Sequence, residues 1–218
     1  MILGRTILTS KRKKNIKNTY LGHILIFCEG MTEKLYLQYF TDILKKNKFN
    51  DIKIEIESAN GNASRVFKFA DAYLCEENNN RKYSNYKKYL IFDCDAPPNI
   101  QHIITDMISS ANNYEVVVSN FLFEIWLLMH FEIVEKKLTK GEIYRRLESH
   151  LRNNYEKANE GLIREIIQKG SVEAAIDNAE SLAKQYIERK INLTENIEVM
   201  NPFTNIYSLV EQLLAAIS

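Results

Sequence analysis

The chain has 218 residues, of which 45% are hydrophobic and 26% charged, with a formal net charge of +1. This balance is typical of a globular protein with a buried core and argues against a disordered or fibrous chain. The longest apolar run is interrupted by Glu124 and is too short to span a membrane, and three widely spaced cysteines favour a reducing compartment, so we expect a cytoplasmic protein without a membrane partner.

The first two thirds of the sequence alternate between strand and helix patterns. The nearly continuous apolar run His23–Cys28 predicts a buried strand, and a helix beginning near Thr32 follows it. Isoleucines at every second position of residues 52–56 predict a second strand. The next segments are predicted as a helix over 64–76, a polar loop over 78–88, a strand over 89–92, a helix over 99–111, a strand over 115–118 and an apolar helix over 123–131.

From residue 135 onward the pattern is helical. Thr139 and Glu142 have the spacing of a capping box, Ser171 precedes a long apolar stripe, and a further helix is expected after Pro202. We therefore predict an α/β fold with a mainly parallel four-stranded sheet flanked by helices and a C-terminal helical extension. The predicted boundaries are a basic N-terminal arm over 1–20, an α/β domain over 21–134 and a helical extension packed on it over 135–218.

The basic arm and one helix are candidate contacts for nucleic acid. Residues 1–20 contain six basic residues and no acidic one, a pattern that suits phosphate contacts but is also common at solvated chain ends. The residues that we expect to contact nucleic acid are Lys11, Arg12, Lys13, Lys14 and Arg65.

Three carboxylates follow predicted strands. Glu29 comes directly after the first strand, and Asp93 and Asp95 end the third. Because the carboxyl ends of parallel strands share one edge, we expect these acids to converge there. Clustered carboxylates repel each other unless a cation joins them, and their hard oxygens suit Mg²⁺ or Mn²⁺. The alternative is simple turn chemistry, since Asp-x-Asp before two prolines is also common in turns.

A fourth acid, Glu124, lies in the otherwise apolar helix over 123–131. A buried carboxylate is costly unless a cation or hydrogen-bond donors accompany it, which favours a functional role. The alternative is a structural ion pair with a neighbouring Lys or Arg. His130, at the end of the same helix, is a secondary candidate for contact with a metal or a leaving group. The alternative is that it only interacts favourably with the negative end of the helix dipole, as histidines at helix C-termini often do.

Residues 24–33 and 89–95 resemble the glutamate and Asp-x-Asp motifs of Toprim domains. Together with three further segments they make the chain resemble the RloB family of phage-defence proteins, over about residues 22–214. Those segments are Ser119–Glu132, Ala179–Leu182 and Asn201–Val210. The resemblance implies that the sheet is Toprim-like.

The resemblance also implies catalytic roles. Glu29 would be the general acid or base, Asp93 and Asp95 would hold Mg²⁺ or Mn²⁺, Glu29 would contribute to the metal site, and Glu124 would be a fourth acid of the same pocket. The expected activity is Mg²⁺-dependent cleavage of phosphodiester bonds in DNA or RNA, including tRNA, in phage defence by abortive infection.

Family analogy suggests an AAA- or ABC-type ATPase as a partner. Formation of a homo-oligomer is a further possibility. A second hypothesis makes the chain a non-catalytic nucleic-acid-binding or regulatory subunit of an ATPase-containing defence complex, since its near-neutral charge disfavours strong unaided binding to DNA. Phosphoryl transfer as in primases is disfavoured, because no nucleotide-binding loop accompanies the acids.

Overall fold

The computed structural model describes residues 21–44, 51–56, 61–94 and 99–217. The strands are β1 (His23–Cys28), β2 (Asp51–Ile56), β3 (Lys87–Asp93), β4 (Tyr114–Asn120) and β5 (Phe203–Thr204). The helices are α1 (Met31–Leu44), α2 (Ala63–Cys75), α3 (Glu77–Tyr83), α4 (Ile100–Ser109), α5 (Glu124–Met129), α6 (Lys140–Leu151), α7 (Glu160–Lys169), α8 (Val172–Glu188), α9 (Leu193–Asn196) and α10 (Tyr207–Ile217).

The strands form one sheet in the order β2-β1-β3-β4-β5, in which the first four are parallel and β5 is antiparallel to β4. Strands β1 and β3 are central and almost entirely buried, which is why their sequences are continuous apolar runs. Helices α1 and α10 pack together beside the sheet, and α2 and α4 pack together against β3 and β4. The predicted mixed α/β fold with a mostly parallel sheet is confirmed.

The predicted number of strands is wrong, because within the described residues the sheet has five strands rather than four. Strand β5 has only two residues, too few for an alternating pattern to be read. It is held by side chains as well as by its backbone: the hydroxyls of Ser119 and Thr204 are 3.0 Å apart. Next to it, the Asn205 amide accepts the Val118 N–H at 2.7 Å and donates to the Val116 carbonyl at 2.9 Å.

The segment predicted as a polar loop over 78–88 instead contains α3 and the start of β3. Asn79 and Asn80 donate hydrogen bonds to the carbonyls of Tyr73 and Leu74 at the end of α2, and Tyr83 is buried. These tertiary contacts outweigh the low helix propensity of asparagine. Helix α7 also had no predicted counterpart.

The predicted helix starts in the C-terminal half are confirmed. Thr139 and Glu142 form the reciprocal capping box of α6, and the Ser171 hydroxyl accepts the Ala174 N–H at 3.0 Å at the start of α8. The domain boundary near residue 134 stays a prediction, although β5 and α10, which come after it, pack on β4 and α1. Of the helices that the structure describes, none has the length and apolarity needed to cross a bilayer.

Candidate active site

Glu29 and Asp93 meet at the carboxyl edge of the two central strands. The Glu29 N–H donates to the Ile91 carbonyl at 2.9 Å, and the Glu29 Oε2 accepts the Asp93 N–H at 3.0 Å. Asp93 is 8% exposed, and its Oδ1 accepts the Phe123 N–H at 2.7 Å. The register of β1 with β3 therefore brings the two predicted acids together.

Glu124 begins α5 and has no exposed surface. Its Oε1 accepts the Tyr155 hydroxyl at 3.1 Å and lies 3.2 Å from the Lys157 Nζ. Its Oε2 is buried and has no hydrogen-bond partner among the described residues. The lysine ion pair is the structural alternative considered from the sequence, but it satisfies only one of the two carboxylate oxygens.

Glu33 is a fourth described acid of the cluster and was not among the predicted site residues. It lies in the first turn of α1 and is 5% exposed. Burial, together with the negative charge of Glu124, raises the pKa of Glu33 to about 7. Glu33 is the last residue of the segment over 24–33 that resembles Toprim domains, but the sequence analysis gave it no role, and acids are common in the first turn of any helix.

A glycine makes room for this carboxylate. A Cβ placed on Gly30 would lie 2.9 Å from the Glu33 Oε2, closer than such atoms normally approach. The Glu33 side chain therefore folds back over the loop that joins β1 to α1. The Glu-Gly pair thus supplies both an acid and the space for a second acid.

The carboxylates act on one another electrostatically. The pKa of Asp93 is raised well above its ordinary value, first by burial and then by the negative charges of Glu33 and Glu124. Lys157 opposes this shift, and Glu29 adds to it. Among the described residues, these four carboxylates lie close enough to one another and to Lys157 to interact electrostatically, and their charge favours a further cation.

The segment that connects α6 to α7 contacts the carboxylate cluster. Tyr155 and Lys157 reach Glu124, and the Ala158 N–H donates to the Thr32 Oγ1 at 3.1 Å. Burial disfavours the charged form of Lys157, but the Glu124 and Asp93 carboxylates raise its pKa above the ordinary value. The sequence gives no indication of these contacts, because their partners lie between 31 and 126 positions apart in the chain.

The donor set suits a hard divalent cation. Every candidate ligand is a carboxylate oxygen, and the unpartnered Oε2 of Glu124 is an orphaned buried acceptor beside the cluster. Within the described ranges, no three His, Cys, Asp or Glu side chains surround one metal position. Asp95, two residues beyond Asp93, lies outside the described residues. Mg²⁺ usually takes one or two protein carboxylates and completes its shell with water.

The predicted nucleic-acid contacts are mostly outside the described part of the chain. Lys11, Arg12, Lys13 and Lys14 belong to residues 1–20, of which nothing is described. Arg65 is exposed in the first turn of α2, where its N–H donates to the Asn62 side chain at 3.1 Å. Contact of these residues with nucleic acid stays a prediction.

His130 is a core residue. Its Nδ1 lies 3.0 Å from the Trp126 carbonyl, which can only accept, so Nδ1 carries the proton. Its Nε2, 3.0 Å from the Tyr36 hydroxyl, then accepts. Burial lowers the pKa of His130 to about 4. Both ring nitrogens are used inside the fold, so nothing in the structure supports the secondary role in metal or leaving-group contact.

Comparison with known proteins bears on this site. The family model described as RloB-like protein matches residues 24–213, which include Glu29, Asp93 and Glu124. No curated protein and no solved structure matches the chain significantly.

Proposed function

The chain belongs to the RloB-like protein family, and from that premise and the carboxylate cluster we propose that it is a Mg²⁺-dependent nuclease of the Toprim type. The proposed reaction is cleavage of phosphodiester bonds in DNA or RNA. The observation that carries the proposal is the hydrogen bond of 3.0 Å between the Glu29 Oε2 and the Asp93 N–H, which brings acids from two separate strands to one edge.

We assign different roles in metal binding and proton transfer to the residues of the cluster. A bound Mg²⁺ or Mn²⁺ would polarise a phosphoryl oxygen and neutralise the charge that develops during displacement. Asp93, with Asp95, would hold the ion, and Glu29 would lie against them. Glu29 is our first candidate to move a proton, and Glu33 is a second, because a pKa of about 7 lets it exchange a proton near neutral pH.

The biological setting is proposed from family resemblance alone. We propose that the protein acts in phage defence by abortive infection, in the cytoplasm, under the control of an AAA- or ABC-type ATPase. The nucleic-acid class, with tRNA among the candidates, is left to experiment.

The test is cleavage of plasmid, single-stranded DNA and total tRNA by the purified protein with Mn²⁺ or Mg²⁺, with and without the ATPase. We expect Asp93→Asn to reduce metal-dependent cleavage roughly 100-fold or more, because it removes a charged ligand. Asp106→Asn, which neutralises an exposed acid on α4, is the matched control and should keep full activity. Full activity of Asp93→Asn would reject the assignment.

A second candidate function is the non-catalytic subunit. The ion pair of Glu124 with Lys157 favours it, because a lysine already supplies part of the charge that a metal would supply. This candidate predicts that the wild type cleaves none of the three substrates. It also predicts that the wild type and the Asp93→Asn variant bind these substrates equally well. Metal-dependent cleavage by the wild type would eliminate it.

A further inference from the structure

The segment that connects α6 to α7, residues 152–159, contains two residues with a left-handed backbone. Arg152 has a φ of 56° and Ala158 has a φ of 57°, and neither is a glycine. A Cβ atom makes this conformation unfavourable, so it persists only where the surrounding structure imposes it. The path of this connecting segment therefore depends on its contacts with the rest of the protein.

The middle of the connecting segment lies against Glu124. The Tyr155 hydroxyl donates to the Glu124 Oε1 at 3.1 Å, and the Lys157 Nζ lies 3.2 Å from the same oxygen. The Lys157 side chain is 43% exposed, whereas Glu124 is fully buried. A half-exposed lysine loses side-chain entropy when it is held in one ion pair, so its ammonium stays on Glu124 only while the backbone that carries it is fixed.

Thr32 holds the backbone of the connecting segment one residue beyond Lys157. The Ala158 N–H, at the second left-handed residue, donates to the Thr32 Oγ1 at 3.1 Å. Thr32 is 5% exposed and is the second residue of α1, next to Glu33. This hydrogen bond therefore joins the start of α1 to the backbone that carries Lys157.

We propose that Thr32 is a positioning residue of the proposed active site: its hydroxyl fixes the connecting segment so that Tyr155 and Lys157 stay on Glu124. The inference rests on the proposed function. Thr32 is buried, so it acts through these residues and does not touch the substrate. A misplacement of about 1 Å at a reacting centre slows a reaction by as much as roughly 100-fold. The alternative is that the hydrogen bond only packs the segment against α1, without effect on the carboxylates.

The test compares variants that differ in one hydroxyl. Thr32→Val keeps the size of the side chain and removes the acceptor, whereas Thr32→Ser keeps the acceptor. Thr41→Val is the matched control, because Thr41 is also a buried threonine of α1, and its hydroxyl donates to the Gln38 carbonyl within that helix.

The first measurement is steady-state cleavage, with Mn²⁺, of whichever of plasmid, single-stranded DNA and total tRNA the wild type cleaves. We expect Thr32→Val to lower kcat roughly 10-fold and to keep KM within about twofold of the wild type, because the substrate still binds while the groups around Glu124 are misplaced. Thr32→Ser and Thr41→Val should stay within about twofold of the wild type in both constants.

The second measurement does not depend on cleavage. Amide hydrogen exchange of the full chain, with a chelator present, measures the protection of residues 152–159. Because Thr32→Val removes the hydrogen bond of the Ala158 amide, we expect exchange in this segment to become roughly 10-fold faster. Thr32→Ser and Thr41→Val should exchange like the wild type.

The outcomes separate this inference from the proposed function. Wild-type kcat or wild-type exchange in Thr32→Val would overturn the inference and leave the nuclease proposal standing. Equal losses in Thr32→Val and Thr32→Ser would also overturn it, because the hydroxyl would then not be the cause. Absence of cleavage by the wild type would overturn both. Thr32→Ala, which also lacks the hydroxyl, decides the result if thermal melting shows that Thr32→Val is not folded.

Discussion

Helix α5 places two buried ionisable residues close together in the sequence, and they differ in how their polar atoms are satisfied. Glu124, at its first residue, keeps one carboxylate oxygen without a partner in the described residues, and its other oxygen is paired with Lys157 and the Tyr155 hydroxyl. His130, just after its last residue, uses both ring nitrogens in hydrogen bonds of 3.0 Å with Tyr36 and Trp126.

Burial alone therefore does not identify a functional residue. A buried polar group whose hydrogen bonds are complete helps to specify the core, whereas a buried carboxylate that is incompletely paired costs stability and is a candidate functional residue. By this criterion His130 belongs to the core and Glu124 to a site, whose other buried carboxylates, Glu33 and Asp93, have raised pKa values.

Replacement of His130 should cost the most stability. We expect His130→Ala to lower the free energy of unfolding by roughly 3 kcal/mol or more, since it leaves a cavity and an unpaired Tyr36 hydroxyl. Urea denaturation monitored by circular dichroism measures this. Tyr36→Phe, which removes only one hydrogen bond, should cost about 1 kcal/mol. A loss below that value for His130→Ala would contradict the core role.

The two regions should respond to acid with opposite signs. The pKa of His130 is lowered from 6.5 to about 4, so the unfolded state gains a proton first and stability is lost as the pH falls from 6.5 to 4. The pKa of Glu33 is raised from 4.5 to about 7, so the folded state gains a proton first and stability is gained as the pH falls from 7 to 4.5.

Each contribution amounts to about 3 kcal/mol, and the two partly cancel in the wild type. Glu33→Gln removes the stability that the folded state gains from protonation of Glu33 and keeps the loss that comes from His130. Between pH 7 and 4.5 this variant should therefore lose about 3 kcal/mol more than the wild type in urea denaturation with a chelator present. Glu135→Gln, an exposed acid, should follow the wild-type curve. Parallel curves for Glu33→Gln and the wild type would show that Glu33 is not held protonated by the fold.

Two glycines, one beside His130 and one beside Glu33, allow the core and the carboxylate cluster to be compared by adding a methyl group at each. A Cβ on Gly170 would lie 2.6 Å from the His130 Cβ and 2.9 Å from the Ile166 carbonyl, which cannot move easily. We expect Gly170→Ala to cost about 2 kcal/mol. Gly30→Ala meets only the end of the Glu33 side chain, so it should cost less than about 1 kcal/mol but weaken Mn²⁺ binding by displacing that carboxylate. Thermal melting and Mn²⁺ titration of both variants check this, and equal losses of stability would contradict it.

Neutralisation of Glu124 should change stability least. Glu124→Gln keeps an acceptor for Tyr155 and removes a buried charge, and the half-exposed Lys157 can turn to solvent. We expect the free energy of unfolding to stay within about 1 kcal/mol of the wild type while metal-dependent cleavage falls strongly. The measurements are urea denaturation and the nuclease assay. A large loss of stability would show that the Lys157 pair is mainly structural.

Local patterns predicted the parts of the fold that local physics decides. The buried strands β1 and β3, the capping box of α6 and the meeting of Glu29 with Asp93 follow from apolar runs, cap spacing and the shared edge of parallel strands. Because these features depend on neighbouring residues or on one topological rule, a single sequence is enough to find them.

The remaining parts depend on contacts between distant segments. Strand β5 exists because β4 offers it an edge, and α3 exists because asparagines bond to the end of α2. Glu33 and Lys157 belong to the site only because the first turn of α1 and the connection between α6 and α7, far apart in sequence, both lie near Glu124. Residue types and spacing carry no record of such contacts, so these residues escaped sequence-based prediction.

The short fifth strand has a consequence for self-association. An open sheet edge offers unpaired amides and carbonyls to the edge of another molecule, which is a route to aggregation. At β4 the Asn205 side chain takes up the Val118 amide and the Val116 carbonyl, and it does so as a strand residue of a neighbouring chain would. Two residues of strand and one asparagine thus occupy backbone groups of β4 that the edge of another molecule would otherwise pair with, without the length of a full additional strand.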